Sequence, residues 1–310
     1  MNTNDQPDII RSEFARLTKP AARDRAGWQP ATPFETRLPL DNPTEAALNF
    51  AFAANLFDLF RAMSHLPEAE MEALPALTRH CAFPFNPMFK GVWQSRVADD
   101  EADEAIDKTV AWFKARNAPF FFWWLDSQAT PADMGARLLA HGFAAWELNA
   151  PGMAADLASL KYDLMDKTPA SYKQERVSDE RGLLDFKAAF VAGFGVPEWA
   201  GQAWVDATLA FGIEHAPWRC YVGRLNSKPV ASNMLFNGAG VAAVFGVATV
   251  PEARGKGIGA AITLTAYDEA RQLGYQHGVL FATDLGTPVY RRIGFRDVGA
   301  TMSRYLWRAT

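Results

Sequence analysis

The run Val247-Ala248-Thr249-Val250-Pro251-Glu252-Ala253-Arg254-Gly255-Lys256-Gly257-Ile258-Gly259-Ala260 constrains this chain more than any other stretch of it. A strand pattern ends at a proline, three glycines follow at every second position, and a helical pattern begins. Glycine lets backbone N–H groups approach a ligand without interference from a Cβ. A helix N-terminus offers unpaired donors and the positive end of its dipole. Together these make a cradle for a diphosphate, with Arg254 and Lys256 adding charge. The pattern G-x-x-x-x-G-K-[ST] is absent, so the turn is not a Walker loop. The third glycine comes one residue early for the dinucleotide fingerprint G-x-G-x-x-G.

A chain of 310 residues predicts two domains. Residues 1–43 hold Pro7, Pro20, Pro30, Pro33, Pro39 and Pro43 and read as an extended arm, with room for a short helix over Ile9–Leu17. Asn42-Pro43-Thr44-Glu45 reads as a helix start with Asn42 as cap, and the helix runs through Met63 to Pro67. A first domain is expected over 44–160 and a second over 170–310, divided by the period-free segment Ser159–Pro169. The element order in the second is β-α-α-β-β-β-α-β-α-β-β, an α/β design on a mixed, mostly antiparallel sheet flanked by helices.

The tails of the two halves match. Phe122-Trp123-Trp124, Pro131, Leu138 and Gly142-Phe143 parallel Leu280-Phe281-Ala282, Pro288, Tyr290 and Gly294-Phe295. Each tail reads strand, proline-opened helix, Gly-Phe, then two strands: Ala144–Asn149 and Met153–Leu157 in the first, Arg296–Val298 and Ser303–Trp307 in the second. One domain is therefore expected to be a copy of the other.

Composition narrows the function. The hydrophobic share of 49% and charged share of 21% are those of a globular protein, not a disordered one. A net charge of −4 does not suit a nucleic-acid wrapper, which needs a basic surface. No apolar run reaches the ~18–20 residues of a membrane span, and Met1–Asp8 lacks the regions of a signal peptide. Two cysteines, Cys81 and Cys220, give no disulfide framework, so a reducing, cytoplasmic setting is expected. No H-x-x-x-H or C-x-x-C spacing occurs, so no metal is expected.

Arg254-Gly255-Lys256-Gly257-Ile258-Gly259 resembles the R/Q-x-x-G-x-G/A motif of the GNAT (GCN5-related N-acetyltransferase) superfamily, and Pro288–Phe295 resembles its Y-x-x-x-GF motif. The resemblance implies tandem GNAT-like domains and acetyl-coenzyme A (acetyl-CoA) as acyl donor. It puts the pyrophosphate on Arg254, Gly255, Lys256, Gly257, Ile258, Gly259 and Ala260. It puts the pantetheine arm along the backbone of Val247, Ala248 and Thr249, with Thr283 beside it, and makes Gly246 the strand bulge that splays two parallel strands. It makes Tyr290 the proton or hydrogen-bond donor to the departing CoA thiolate. No general base is evident; Glu198 and Glu214 are the candidates in the helices that shape the acceptor site, and Trp199, Trp204 and Trp218 are candidate acceptor-pocket walls. In the first half Leu138 stands where Tyr290 should be, and an acidic stretch, Val97–Asp107, replaces the glycine turn. That half thus resembles a degenerate copy, its Trp93, Trp112, Trp123, Trp124 and Trp146 filling a former cleft.

The implied function is transfer of an acetyl group to an amine of a small molecule. The alternatives are a non-catalytic acyl-CoA-binding regulatory module and a transferase acting on protein. The oligomeric state, monomer or homodimer, stays open.

Overall fold

The computed structural model describes residues 38–82 and 89–309. The expected Ile9–Leu17 helix and most of the N-terminal arm lie outside the described residues. The first half runs α1 (Glu45–Met63), β1 (Glu70–Ala73), β2 (Thr78–Cys81), β3 (Lys90–Trp93), α2 (Ala102–Lys114), β4 (Phe120–Asp126), α3 (Met134–Ala140) and β5 (Ala144–Asp156). The second runs β6 (Tyr172–Arg176), α4 (Glu180–Phe194), α5 (Glu198–Phe211), β7 (Trp218–Leu225), β8 (Lys228–Gly238), β9 (Val241–Thr249), α6 (Ile258–Gln272), β10 (His277–Phe281), α7 (Thr287–Ile293) and β11 (Arg296–Arg308).

Thr44, not Asn42, caps α1: its hydroxyl accepts from the Ala47 N–H at 3.2 Å. Strand β1, Glu-Met-Glu-Ala, has no strand-like composition and forms as a paired edge to β2. The β8–β9 turn falls at Ala239-Gly240, both in the left-handed region.

The eleven strands form a single sheet in the order β1-β2-β3-β4-β11-β5-β10-β9-β8-β7-β6. The two terminal strands of each tail turn out to be one long bent strand, and the two long strands change places. β11, the last strand of the second half, lies against β4 of the first over Met302–Arg308. β5, the last strand of the first half, lies against β10 of the second over Gly152–Asp156. The bends fall at Asn149 and Gly299, both with positive φ, and the β5–β11 register slips three times. A long strand forced across two differently twisted halves has to bulge, and short sequence windows read each bulge as a strand break.

The core follows this exchange. Phe52, Phe57 and Phe60 of α1 are buried in one cluster with Trp204, Trp218 and Phe236 of the second half. Helix α1 also terminates the β8–β9 hairpin. The Asn55 amide donates to the carbonyls of Gly238 (3.0 Å) and Val241 (3.1 Å), and an Asp58 carboxylate oxygen accepts from the Ala239 N–H (2.8 Å). Helix α6, with Ala261, Leu264 and Tyr267 inward, covers the other face of the second half.

Candidate active site: the fork between β9 and β10

Parallel strands β9 and β10 pair only at Ala242–Gly278 and Ala243–Val279 and then diverge. Gly246 causes the divergence. Its φ of +61° puts it in the left-handed region. The β8–β9 register slips there, with the one residue between Ser232 and Met234 facing the two between Phe245 and Ala248. The Ser232 hydroxyl donates to the Gly246 carbonyl at 2.9 Å and fixes the bulge. The expected splay is thus present.

At the open end of the fork, Gly255 (φ +73°) and Gly257 (φ +77°) carry the chain into α6, with Gly257 as N-cap. A Cβ on Gly257 would lie 2.8 Å from the Lys167 carbonyl oxygen, while one on Gly255 would meet open space. At the two glycines the turn's surface is therefore backbone, as an anion cradle requires. The two cations are exposed and fold back onto backbone carbonyls. Arg254 Nε donates to the Thr249 carbonyl and Nη2 to the Gly193 carbonyl, both at 3.1 Å, and Lys256 Nζ donates to the Glu252 carbonyl at 2.8 Å. Arg254 braces the turn against β9 and α4, and Lys256 closes it on itself. Ile258, Ala260 and Ala248 are buried, so only their backbone groups remain for a ligand. Val247 and Thr249 are half-buried along the fork.

Thr283, just past β10, accepts from the Gly286 N–H on both its hydroxyl (3.2 Å) and its carbonyl oxygen (2.9 Å), and so sets the turn into α7. On α7, Tyr290 is buried, its ring against Phe295 at 6.3 Å and over Gly286, where a Cβ would lie 2.6 Å from the ring. Burial pushes its phenol well above the usual tyrosine range. The hydroxyl stays protonated and makes no hydrogen bond to a described residue, leaving it available as a donor.

The candidate bases do not join this group. Glu214 pairs with Arg176 at 3.0 Å, and Arg176 reaches Glu269 at 3.4 Å. Glu269 lies twelve residues beyond Gly257, about 18 Å down α6 at 1.5 Å per residue. Glu198 pairs with Lys187 at 3.0 Å on the outer side of α4 and α5 and is 78% exposed. Trp204 and Trp218 are buried core rings in edge contact at 5.6 Å, and the Trp218 indole donates to the Thr208 hydroxyl at 2.9 Å. They are not pocket walls: Trp204 on α5 and Trp218 on β7 fill the buried interface between that helix and the sheet. Trp199 is half-buried and packs against the same core.

Sequence reading missed two contributors. The linker around Lys167 lies against Gly257, and α1 brings Phe52 to 6.5 Å from Phe281 beside the fork. Neither carries a local signal, because both are long-range packing contacts.

Residues 189–295 match the acetyltransferase (GNAT) family model. Residues 189–295 of this chain are thus similar to a GNAT acetyltransferase domain. Mycothiol acetyltransferase of Saccharomonospora viridis is 32% identical over 100 residues, 31% of this chain and 33% of that one, so the match spans about a third of that relative's length. A GCN5-related N-acetyltransferase from Kribbella flavida superposes with a TM-score of 0.65 at 19% identity, over 85% of this chain and 96% of that one. A tandem GNAT protein from the clavulanic acid biosynthesis pathway does so at 0.54 and 12% identity, over 88% and 98%. The architecture is therefore a tandem GNAT fold.

The first half repeats the GNAT plan without its opening. β3 and β4 also pair in parallel at two positions, Gly91–Phe122 and Val92–Trp123. Beyond them the chain is laced shut. The Thr130 N–H donates to the Ser95 carbonyl (3.1 Å), the Val97 N–H to the Thr130 carbonyl (3.3 Å), and the Trp123 indole to the Ser95 hydroxyl (2.7 Å). Arg96 forks onto Asp126 at 2.8 and 3.0 Å. At the start of α2, Arg137 holds Asp99 and Asp103 where a glycine turn would stand.

Proposed function

We propose that this protein is an acetyl-CoA-dependent N-acyltransferase of a small-molecule amine, that residues 170–310 carry the activity, and that 44–160 are a silent GNAT-like copy. The observation that supports it best is the fork: a bulged strand, a glycine turn with exposed backbone N–H groups and a protonated tyrosine meet at one end of one sheet. The pyrophosphate would lie on the backbone of 255–259, with the pantetheine arm along the free edge of Val247–Thr249.

Acyl transfer needs an amine lone pair at the thioester carbonyl. The C–N bond forms, the C–S bond breaks, the surplus amine proton passes to water, and the thiolate leaves. Tyr290 fits the last step. Because burial holds its proton tightly, it acts by donating a hydrogen bond to the developing thiolate rather than by giving the proton up. No step is assigned to Glu198 or Glu214. No helix among the described residues is long and apolar enough to cross a membrane.

Thermal melting with acetyl-CoA tests this reading. A ligand that binds the native state at 100 times its Kd stabilises it by about 2.7 kcal/mol, so a clear rise in Tm is expected. No rise at millimolar acetyl-CoA would refute the assignment. Binding with no transfer to any amine would leave a non-catalytic acyl-CoA-binding module.

A further inference from the structure

The two faces of the fork are chemically unlike. Side chains alternate along a strand. Beyond the last paired residues, Ala243 and Val279, the next positions on the same face are Phe245 and Phe281. Their rings meet across the fork at 6.2 Å, and both are half-buried. The opposite face, under α6 and α7, holds Leu280, Ala282 and Tyr290. If Tyr290 serves the leaving thiolate from that face, the nucleophile has the phenylalanine face to enter by.

That face is aromatic well beyond the two strand residues. Phe190 of α4 lies over the bulge, 3.2 Å from where a Cβ on Gly246 would sit, and stays half-buried. Phe194, one helical turn on, is 40% exposed with its ring 4.9 Å from Phe190. From the first half, Phe52 and Trp124 close on Phe281 at 6.5 and 6.4 Å. The charged group in contact with these rings, the Arg304 guanidinium over Trp124 at 5.0 Å, is held by Glu147 at 2.5 Å. The Glu147 carboxylate is thus occupied, while the Arg304 Nε is buried beside it with no hydrogen-bond partner among the described residues.

Partly open rings from two strands and a helix, clustered at a reacting end, match a flat apolar ligand by area and by ring–ring geometry. They offer no set of hydrogen-bond partners for the hydroxyls of an amino sugar and no row of carboxylates for a polyamine. We infer that the acceptor is an amine borne on an aromatic or similarly flat apolar body, seated against Phe190, Phe245 and Phe281. This rests on the acyltransferase reading above. Where the amine is conjugated to the ring, as in aniline, it is already neutral at pH 7 and needs no base, whereas benzylamine and 2-phenylethylamine are alkylammonium ions there, of the same kind as lysine with its pKa of ~10.4.

The test is a panel of acceptors with the full-length protein and saturating acetyl-CoA: aniline, benzylamine and 2-phenylethylamine against glucosamine, spermidine and a lysine peptide. The aromatic amines are expected to exceed the others in kcat/KM by at least tenfold. Phe190→Ala should raise the KM for 2-phenylethylamine about tenfold, the scale of a lost ring contact, with acetyl-CoA binding within twofold of the parent. Phe190→Tyr should keep the KM near the parent value, which controls for folding. Faster transfer to glucosamine, spermidine or the peptide overturns the inference and leaves the acyltransferase reading standing. So does acetyl-CoA binding with no transfer to any aromatic amine, or a KM that Phe190→Ala does not move. Absence of acetyl-CoA binding overturns both.

Discussion

The two halves of this molecule start from the same fork of two parallel strands and end in opposite states. In the second, Gly246 bulges β9, the strands part, and a glycine turn stands at the mouth. In the first, Thr130, Trp123 and the Arg96–Asp126 pair fasten the corresponding strands together. The fold alone is therefore neutral about cofactor binding. What decides is whether the residues past the paired positions are small and left-handed, or large and hydrogen-bonded across the gap. The first half also contributes to the second. It supplies α1, which ends the β8–β9 hairpin and carries Phe52 to the fork, and it receives β11 into its own sheet.

The sharpest way to break this contrast is to remove what only the second half has at the Leu138 position. Tyr290→Phe should bind acetyl-CoA as the parent does and lose ~100-fold or more in kcat, the usual scale for a positioned proton or hydrogen-bond donor. Steady-state kinetics beside a thermal-shift assay measure both. Burial raises the phenol pKa, so the parent enzyme should show no loss of rate from Tyr290 ionisation up to pH 10. A falling limb below that pH, absent from Tyr290→Phe, would argue against the role.

Next in size is the dependence of the second half on the first. Asn55→Leu leaves two buried carbonyls of the β8–β9 turn without their donor. Each such loss costs ~1–3 kcal/mol, so urea unfolding should show a drop of about 2–4 kcal/mol although the residue lies almost two hundred positions from the turn. An unchanged midpoint would mean that α1 does not hold the second half together.

Stability should also vary with pH, and that variation should come from the first half. Lys90 is fully buried on β3, and desolvation lowers its pKa to about 7, opposed by the nearby Cys81. The unfolded chain keeps that lysine protonated to about pH 10.4. Between pH 7 and 10 the unfolded state thus binds more protons, and stability rises with pH. His80, with its pKa lowered to about 3 by burial, gives the acidic counterpart. It is neutral in the fold and charged in the unfolded chain below about pH 6.5, so stability falls as pH drops from there toward 3. Lys90→Met should flatten the alkaline rise and leave the acidic fall in place.

Much of the site was legible because its signals are local. Three alternating glycines between a strand and a helix can be read in fourteen residues, and Gly246 and Tyr290 stand at fixed offsets from them. The repeat was also legible, since strand, short helix and Gly-Phe keep their order. The strand exchange was not. β5 and β11 each carry a bend that reads as a break, and nothing in Ala144–Asp156 says which of two similar neighbours it will pair with. Trp204 and Trp218 misled for a related reason: a tryptophan beside an expected pocket and one beneath it have the same local sequence. Glu198, at the start of α5, and Glu214, in the turn after it, have the right charge in the right region, but their partners, Lys187 and Arg176, are chosen by the fold.

The most direct test of one working fork and one closed fork is the stoichiometry of acetyl-CoA binding by titration calorimetry, on the parent and on Gly257→Val. A valine there must take a left-handed backbone costing ~1–3 kcal/mol against the Lys167 carbonyl. The account predicts one site per chain in the parent, weakened roughly tenfold to hundredfold in the variant. Two sites per chain, or one site that Gly257→Val leaves untouched, would contradict it.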